Sequence, residues 1–176
     1  TGWLTGSGAF DAKSGTTRST IVDATVGTHL SLNDASGNHI PTYYFRTWFT
    51  IPSNALSITL RANAIIDDGI VIYINGVEAL RLGVPQGATY STWASRTQGE
   101  PAYEYLTIPA DNVVLGTNLI AVELHQVNAS STDISFGMTL LADITVRVPD
   151  TFPPTIERLL PPAGTTVPRL DSIEVL

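Results

Sequence analysis

Residues Ile65 to Leu82 read Ile-Ile-Asp-Asp-Gly-Ile-Val-Ile-Tyr-Ile-Asn-Gly-Val-Glu-Ala-Leu-Arg-Leu, and this stretch decides the fold class. Two β-rich runs meet at Asn75-Gly76, the dipeptide best suited to the positive φ angles of a two-residue hairpin turn. Ile70, Ile72 and Ile74 fall on one face of the first run, and Val71 and Tyr73 on the other. A strand apolar on both faces belongs inside a sheet. Asp67, Asp68 and Gly69 stand where that strand begins, an acidic loop at the rim of a β structure.

Working outward, Leu56 to Ala64 alternates Leu56, Ile58, Leu60 and Ala62 against Ser57, Thr59, Arg61 and Asn63, the period-two signature of a half-buried strand. Arg61 is therefore expected to face solvent or a cleft. The run Thr42 to Ile51 is dense in aromatic and β-branched residues and ends at Pro52, which lacks a ladder donor; it reads as a central strand. Tyr105 to Ile108, Asn118 to Gln126 and Ile134 to Val148 supply further strands, the last either continuous or broken near Gly137. Thr1 to Ser36 is loop-dominated, with one or two short strands expected around Ile21, Val22, Val26 and Leu30. The pattern predicts an all-β protein: an antiparallel β-sandwich or jelly roll of about seven to nine strands.

Composition sets the partners. Sixteen acids oppose nine bases, for a formal charge of −7, which disfavours nucleic acid or an anionic membrane. No run is apolar for the roughly 18 residues of a membrane span, and no secretory leader is legible, so the chain is expected to derive from a longer precursor. The absence of cysteine excludes disulfides and thiolate chemistry. Abundant threonine, scarce lysine and many short strands resemble the composition of secreted bacterial surface modules and point to an extracellular or cell-surface location. Near Pro149 the composition changes. Residues 1–149 read as one module. Residues 150–176 carry Pro153, Pro154, Pro161, Pro162 and Pro168 and read as a proline-rich extension, either a linker into another domain or a tail strand.

Three segments carry a resemblance to a family: Tyr44-Phe45-Arg46; Asp67-Asp68-Gly69 with Val71, Tyr73, Asn75 and Gly76; and Gly116 to Gln126 followed by Asp133-Ile134-Ser135-Phe136. Together they resemble a galactose-binding-domain-like jelly-roll module of large secreted bacterial proteins. The Tyr73-x-Asn75-Gly76 element is also similar to the sugar-binding accessory domain of β-galactosidase-type glycosidases. The resemblance implies a jelly roll that performs no chemistry itself, although function transfers poorly through such folds. Where the family places an acid after Ser135-Phe136, this chain has Gly137. The segment from Pro153-Pro154-Thr155 to Ile173-Glu174-Val175 resembles the start of a bacterial immunoglobulin-like domain.

Asp67 and Asp68, with Glu100, Glu104 and Asp133, offer oxygen ligands of the kind calcium takes, about 6–8 per ion. Alternatively, Asp67 or Asp68 caps the turn by accepting backbone N–H bonds. Arg46, on an aromatic strand expected to be buried, needs a carboxylate such as Asp68, Asp133 or Glu123, or else faces a ligand. Trp93, Tyr90 and Tyr103 lie on or near the long Gly83–Ala102 connection, where exposed rings would stack on sugar faces; Trp93 could instead plug the end of the sandwich. Trp3 and Trp48 are expected to pack inside. His29, His39 and His125 lack zinc spacing, and His125 reads as a structural histidine. No nucleophile elbow or phosphate loop occurs, and Glu100 with Glu104 is too weak a pair to imply a glycosidase.

These readings converge on a non-catalytic carbohydrate-binding module of a secreted multidomain protein, with polysaccharide as partner and calcium as a structural ion. The alternative is a spacer or adhesive subunit that self-associates through sheet edges, its Ile173-Glu174-Val175-Leu176 strand completing a neighbour's sheet.

Overall fold

Nine strands follow one another along the chain: β1 (Phe10–Lys13), β2 (Thr28–Leu30), β3 (Thr42–Ile51), β4 (Ala55–Asp67), β5 (Gly69–Ile74), β6 (Val77–Leu82), β7 (Tyr103–Ile108), β8 (Gly116–His125) and β9 (Asp133–Val146). The structure is a computed structural model that describes residues 2–15, 17–21, 23–98, 102–152 and 154, and no helix occurs among them. The strands form a five-stranded sheet, β2-β1-β9-β4-β7, and a four-stranded sheet, β3-β8-β5-β6. The antiparallel pairs β1/β9, β3/β8, β4/β7 and β5/β6 nest inside one another. That nesting is the wrapping of a jelly roll, as the residue pattern anticipates.

Between the sheets lies the core. Leu60, Ala62, Ala64 and Ile66 of β4 meet Ile70, Ile72 and Ile74 of β5 and Ile120, Val122 and Leu124 of β8. Phe45 stands between Phe10 and Phe136 at centroid distances of 4.8 and 4.6 Å, joining the two sheets at one end. The Asn75-Gly76 turn has φ of 52° and 84°, the two positive angles that hairpin geometry demands. Asn75 also reaches across to β8: its Nδ2 donates to Asn118 Oδ1 at 2.9 Å and its Oδ1 accepts from Leu119 N at 2.9 Å. The Tyr-x-Asn-Gly element is thus an architectural lock between hairpin and neighbouring strand.

Several expectations need correction. Thr42–Ile51 is not central: β3 is an edge strand, paired with β8 alone. Its apolar character comes from aromatic residues that the strand presents outward as well as inward. The N-terminal strands form at Phe10–Lys13 and Thr28–Leu30, while Ile21 makes only an isolated bridge to Ala24; Val22 lies outside the described residues. Ile21 instead packs with Ala9 and Ile65 in a small second core. The region from Ile134 onward forms one continuous strand, with Gly137 inside it. Of the 150–176 extension, almost all lies outside the described residues, including the Ile173–Leu176 tail.

Candidate functional site

At Asp67-Asp68-Gly69 the chain passes from the five-stranded to the four-stranded sheet, and this corner organises the long connection after β6. Asp68 is buried, and its two carboxylate oxygens accept from Gln98 N at 3.0 Å and Val127 N at 2.7 Å. Arg96 donates from Nε to Asp68 O at 2.6 Å and from Nη2 to Ile66 O at 3.2 Å. Its guanidinium also makes a two-pronged ion pair with Glu104, one prong being Nη1 to Oε2 at 2.9 Å. The planar five-donor fork of arginine suits such a junction of carbonyls and carboxylate. Burial first, and then the Asp68 charge beside it, pushes the Asp67 carboxyl up to about 8.

From this corner the connection folds onto the outward face of the four-stranded sheet. Ser95 N donates to Gly83 O at 2.8 Å and Ala94 N to Gln126 O at 2.7 Å. Thr42 Oγ1 donates to Tyr90 O at 2.7 Å. His125 Nδ1 lies 2.7 Å from Thr92 O and 3.0 Å from Thr42 Oγ1. A carbonyl only accepts, so Nδ1 carries the proton. Gly69 is obligatory beneath this cover: a Cβ there would meet Gly83 O at 2.5 Å and Ala94 Cβ at 2.9 Å. The fully buried His125 is a fastener of the loop.

This arrangement disperses the carboxylates expected to share calcium. Glu104 is held by Arg96 and Asp133 lies 3.4 Å from Lys13 Nζ, while Asp68 is occupied by backbone amides. Glu100 lies outside the described residues. Among the described residues, no three His, Asp or Glu side chains converge to hold a metal ion. Asp68 does accept two backbone N–H groups, but not those of its own turn as the capping alternative expects: its partners Gln98 and Val127 belong to the long connection and to the segment after β8.

The expected sugar-contacting residues also separate. Tyr90 is 50% exposed on the loop, and Trp93 is half-buried between the anchored residues Thr92 and Ala94. Tyr103 stands on β7 of the opposite sheet, lining a groove of about 400 Å³ with Gly8, Ala9, Ile65 and Gly137. Arg46 is exposed, which corrects the expectation of a buried side chain with a carboxylate partner. Its guanidinium instead lies 4.0 Å from the ring centroid of Trp3. Trp3 and Trp48, expected inside, are 52% and 67% exposed.

The pairing registers assemble the rest of the site. Tyr44, Glu123, Val71 and Arg81 form one row across the outward face of the four-stranded sheet. Arg46, Ala121, Tyr73 and Glu78 form the next, and Trp48 stands beside Leu119 beyond it. Burial, then the charges of Glu123 and Tyr90, push the Tyr44 phenol up. Arg81 and Glu78 pair with each other, Nε to Oε1 at 2.9 Å. Sequence reading missed Tyr44 and Trp48 as surface residues. The available signal was the strict alternation Tyr44, Arg46, Trp48 on one side of β3, polar and aromatic together.

No protein-family model matches this sequence, and no curated protein is significantly similar to it. What the structure defines is the class: an all-β jelly-roll sandwich with a pinned loop over one outer face. No helix among the described residues is long and apolar enough to cross a membrane.

Proposed function

We propose that the chain is a non-catalytic carbohydrate-binding module of a secreted, multidomain protein, akin to the galactose-binding-like modules its motifs resemble. One observation carries the reading: the loop that carries the exposed Tyr90 is pinned at Thr42 and His125, on the same outward face of the four-stranded sheet as the exposed ring of Tyr44. A loop whose backbone is held in place presents its ring to a sugar face at a reduced ordering cost. Binding would act by proximity, holding neighbouring domains of the same chain on a polysaccharide and raising their effective concentration there.

A glycan-array screen tests this, run with calcium and with chelator, with Tyr90→Ala as the paired protein. Binding lost in the variant at unchanged melting temperature supports the reading, and loss in chelator adds calcium to it. Silence across the array removes it.

A second reading, a spacer or adhesive subunit, is favoured by the ten-residue edge strand β3. An edge offers unpaired backbone groups to an added strand. Concentration-dependent sedimentation without sugar binding would favour this alternative.

A further inference from the structure

We propose that the carbohydrate surface is not confined to the loop but runs along β3, and that it takes a neutral, linear glycan chain lying on the outward face of the four-stranded sheet. The inference rests on the carbohydrate reading and specifies its site and ligand class. Tyr44 and Trp48 lie on the same side of β3, four residues and so about 13 Å apart along the strand. Both rings are exposed, at 44% and 67%. Arg46 lies between them, and Glu123 is paired beside Tyr44. Tyr90 marks one end of the line and Trp48 the other, so one sugar cannot span it.

The charges on this face select the ligand. Arg46 and Arg81 are balanced by Glu78 and Glu123, and the whole chain carries −7. A face neutral in sum on an acidic protein repels a polyanion at distance and offers no net attraction to it at contact. Neutral hydroxyls, in contrast, suit donors and acceptors placed alternately, as Arg46 and Glu123 are. Arg46 has an aromatic partner, Trp3, but no carboxylate within ion-pair distance among the described residues. Its remaining N–H donors therefore stay available on the exposed side.

Isothermal titration of the whole chain with neutral galacto- and gluco-oligosaccharides, from mono- to hexasaccharide, tests the proposal. Affinity is expected to rise about tenfold or more between the mono- and the longer oligosaccharides. Trp48→Ala should remove that gain at an unchanged melting temperature, and Trp48→Phe should restore much of it. Binding that does not strengthen with length, or that Trp48→Ala leaves intact while Tyr90→Ala abolishes it, overturns the extended site and keeps the carbohydrate reading. Salt-sensitive binding of polygalacturonate alone overturns the neutral ligand class. No binding by any saccharide overturns both readings together.

Discussion

Two outward-facing rows, one at an end of each sheet, contrast. On the five-stranded sheet, His29, Asp11, Ser135 and Asp67 stand in one row across β2, β1, β9 and β4, and the last three are buried. The N-terminal segment covers them: Asp11 accepts from Ser19 N at 2.6 Å, lies 2.7 Å from His29 Nδ1, and has Arg18 nearby. Ala9 and Ile21 close over Ile65 beside this row. On β3 of the four-stranded sheet, Tyr44, Arg46 and Trp48 are exposed, with only the Trp3 ring stacked on the Arg46 guanidinium among the described residues. Within the buried row the Asp11 carboxylate is consumed by partners inside the protein and so contributes to stability; the exposed row on β3 leaves its donors and rings for a ligand. Polar residues at equivalent alternating positions of a strand therefore do different work, according to whether another part of the chain covers them.

The largest effect expected from this contrast is the pH dependence centred on Asp67. Its folded-state value, about 8, is raised above the ordinary 3.8. Between these values the folded protein holds a proton that the unfolded chain has lost, so the Asp67 contribution falls as pH rises through this window. It is complete below about pH 4 and lost above about pH 8. Urea unfolding across that range should show the decline in the wild type, and Asp67→Asn should flatten it by an amount on the order of a few kcal/mol. An unchanged slope in the variant would remove Asp67 as the source.

Asp11→Ala comes next. It leaves the buried Ser19 N–H without its acceptor and uncouples His29, for an expected loss of about 2–3 kcal/mol in chemical denaturation. A loss below half a kcal/mol would show that the N-terminal cover does not depend on this carboxylate. The smallest effect on stability belongs to the opposite face: Trp48→Ala should change unfolding free energy by less than about 0.5 kcal/mol, because its ring is mostly in water. A large destabilisation there would mean that the aromatic row is part of the fold, and the contrast between the faces would fail.

The strands were largely legible because each carries its own period. Leu60, Ala62 and Ala64 alternate with Arg61 and Asn63, and the Asn75-Gly76 turn specifies its own backbone angles. The candidate site was only partly legible. Tyr90 and Arg46 could be nominated as ligand residues from their types, but not placed on one face, since that depends on β3 pairing with β8 and on the loop folding back over Gly69. Arg46 and Trp48 were assigned to the interior because aromatic density on a strand signals burial, whereas an edge strand with an uncovered face leaves the same residues exposed.

The sequence by itself determined that this protein is all-β, where most of its strands run and where its tightest turn lies, because side-chain alternation and turn chemistry are local properties. Only the tertiary structure decided which outward-facing residues are covered and which are exposed, that Asp67 sits buried against Asp68, and that Glu104 is claimed by Arg96. Those outcomes depend on contacts between residues far apart in the chain, and no local pattern encodes which partner arrives.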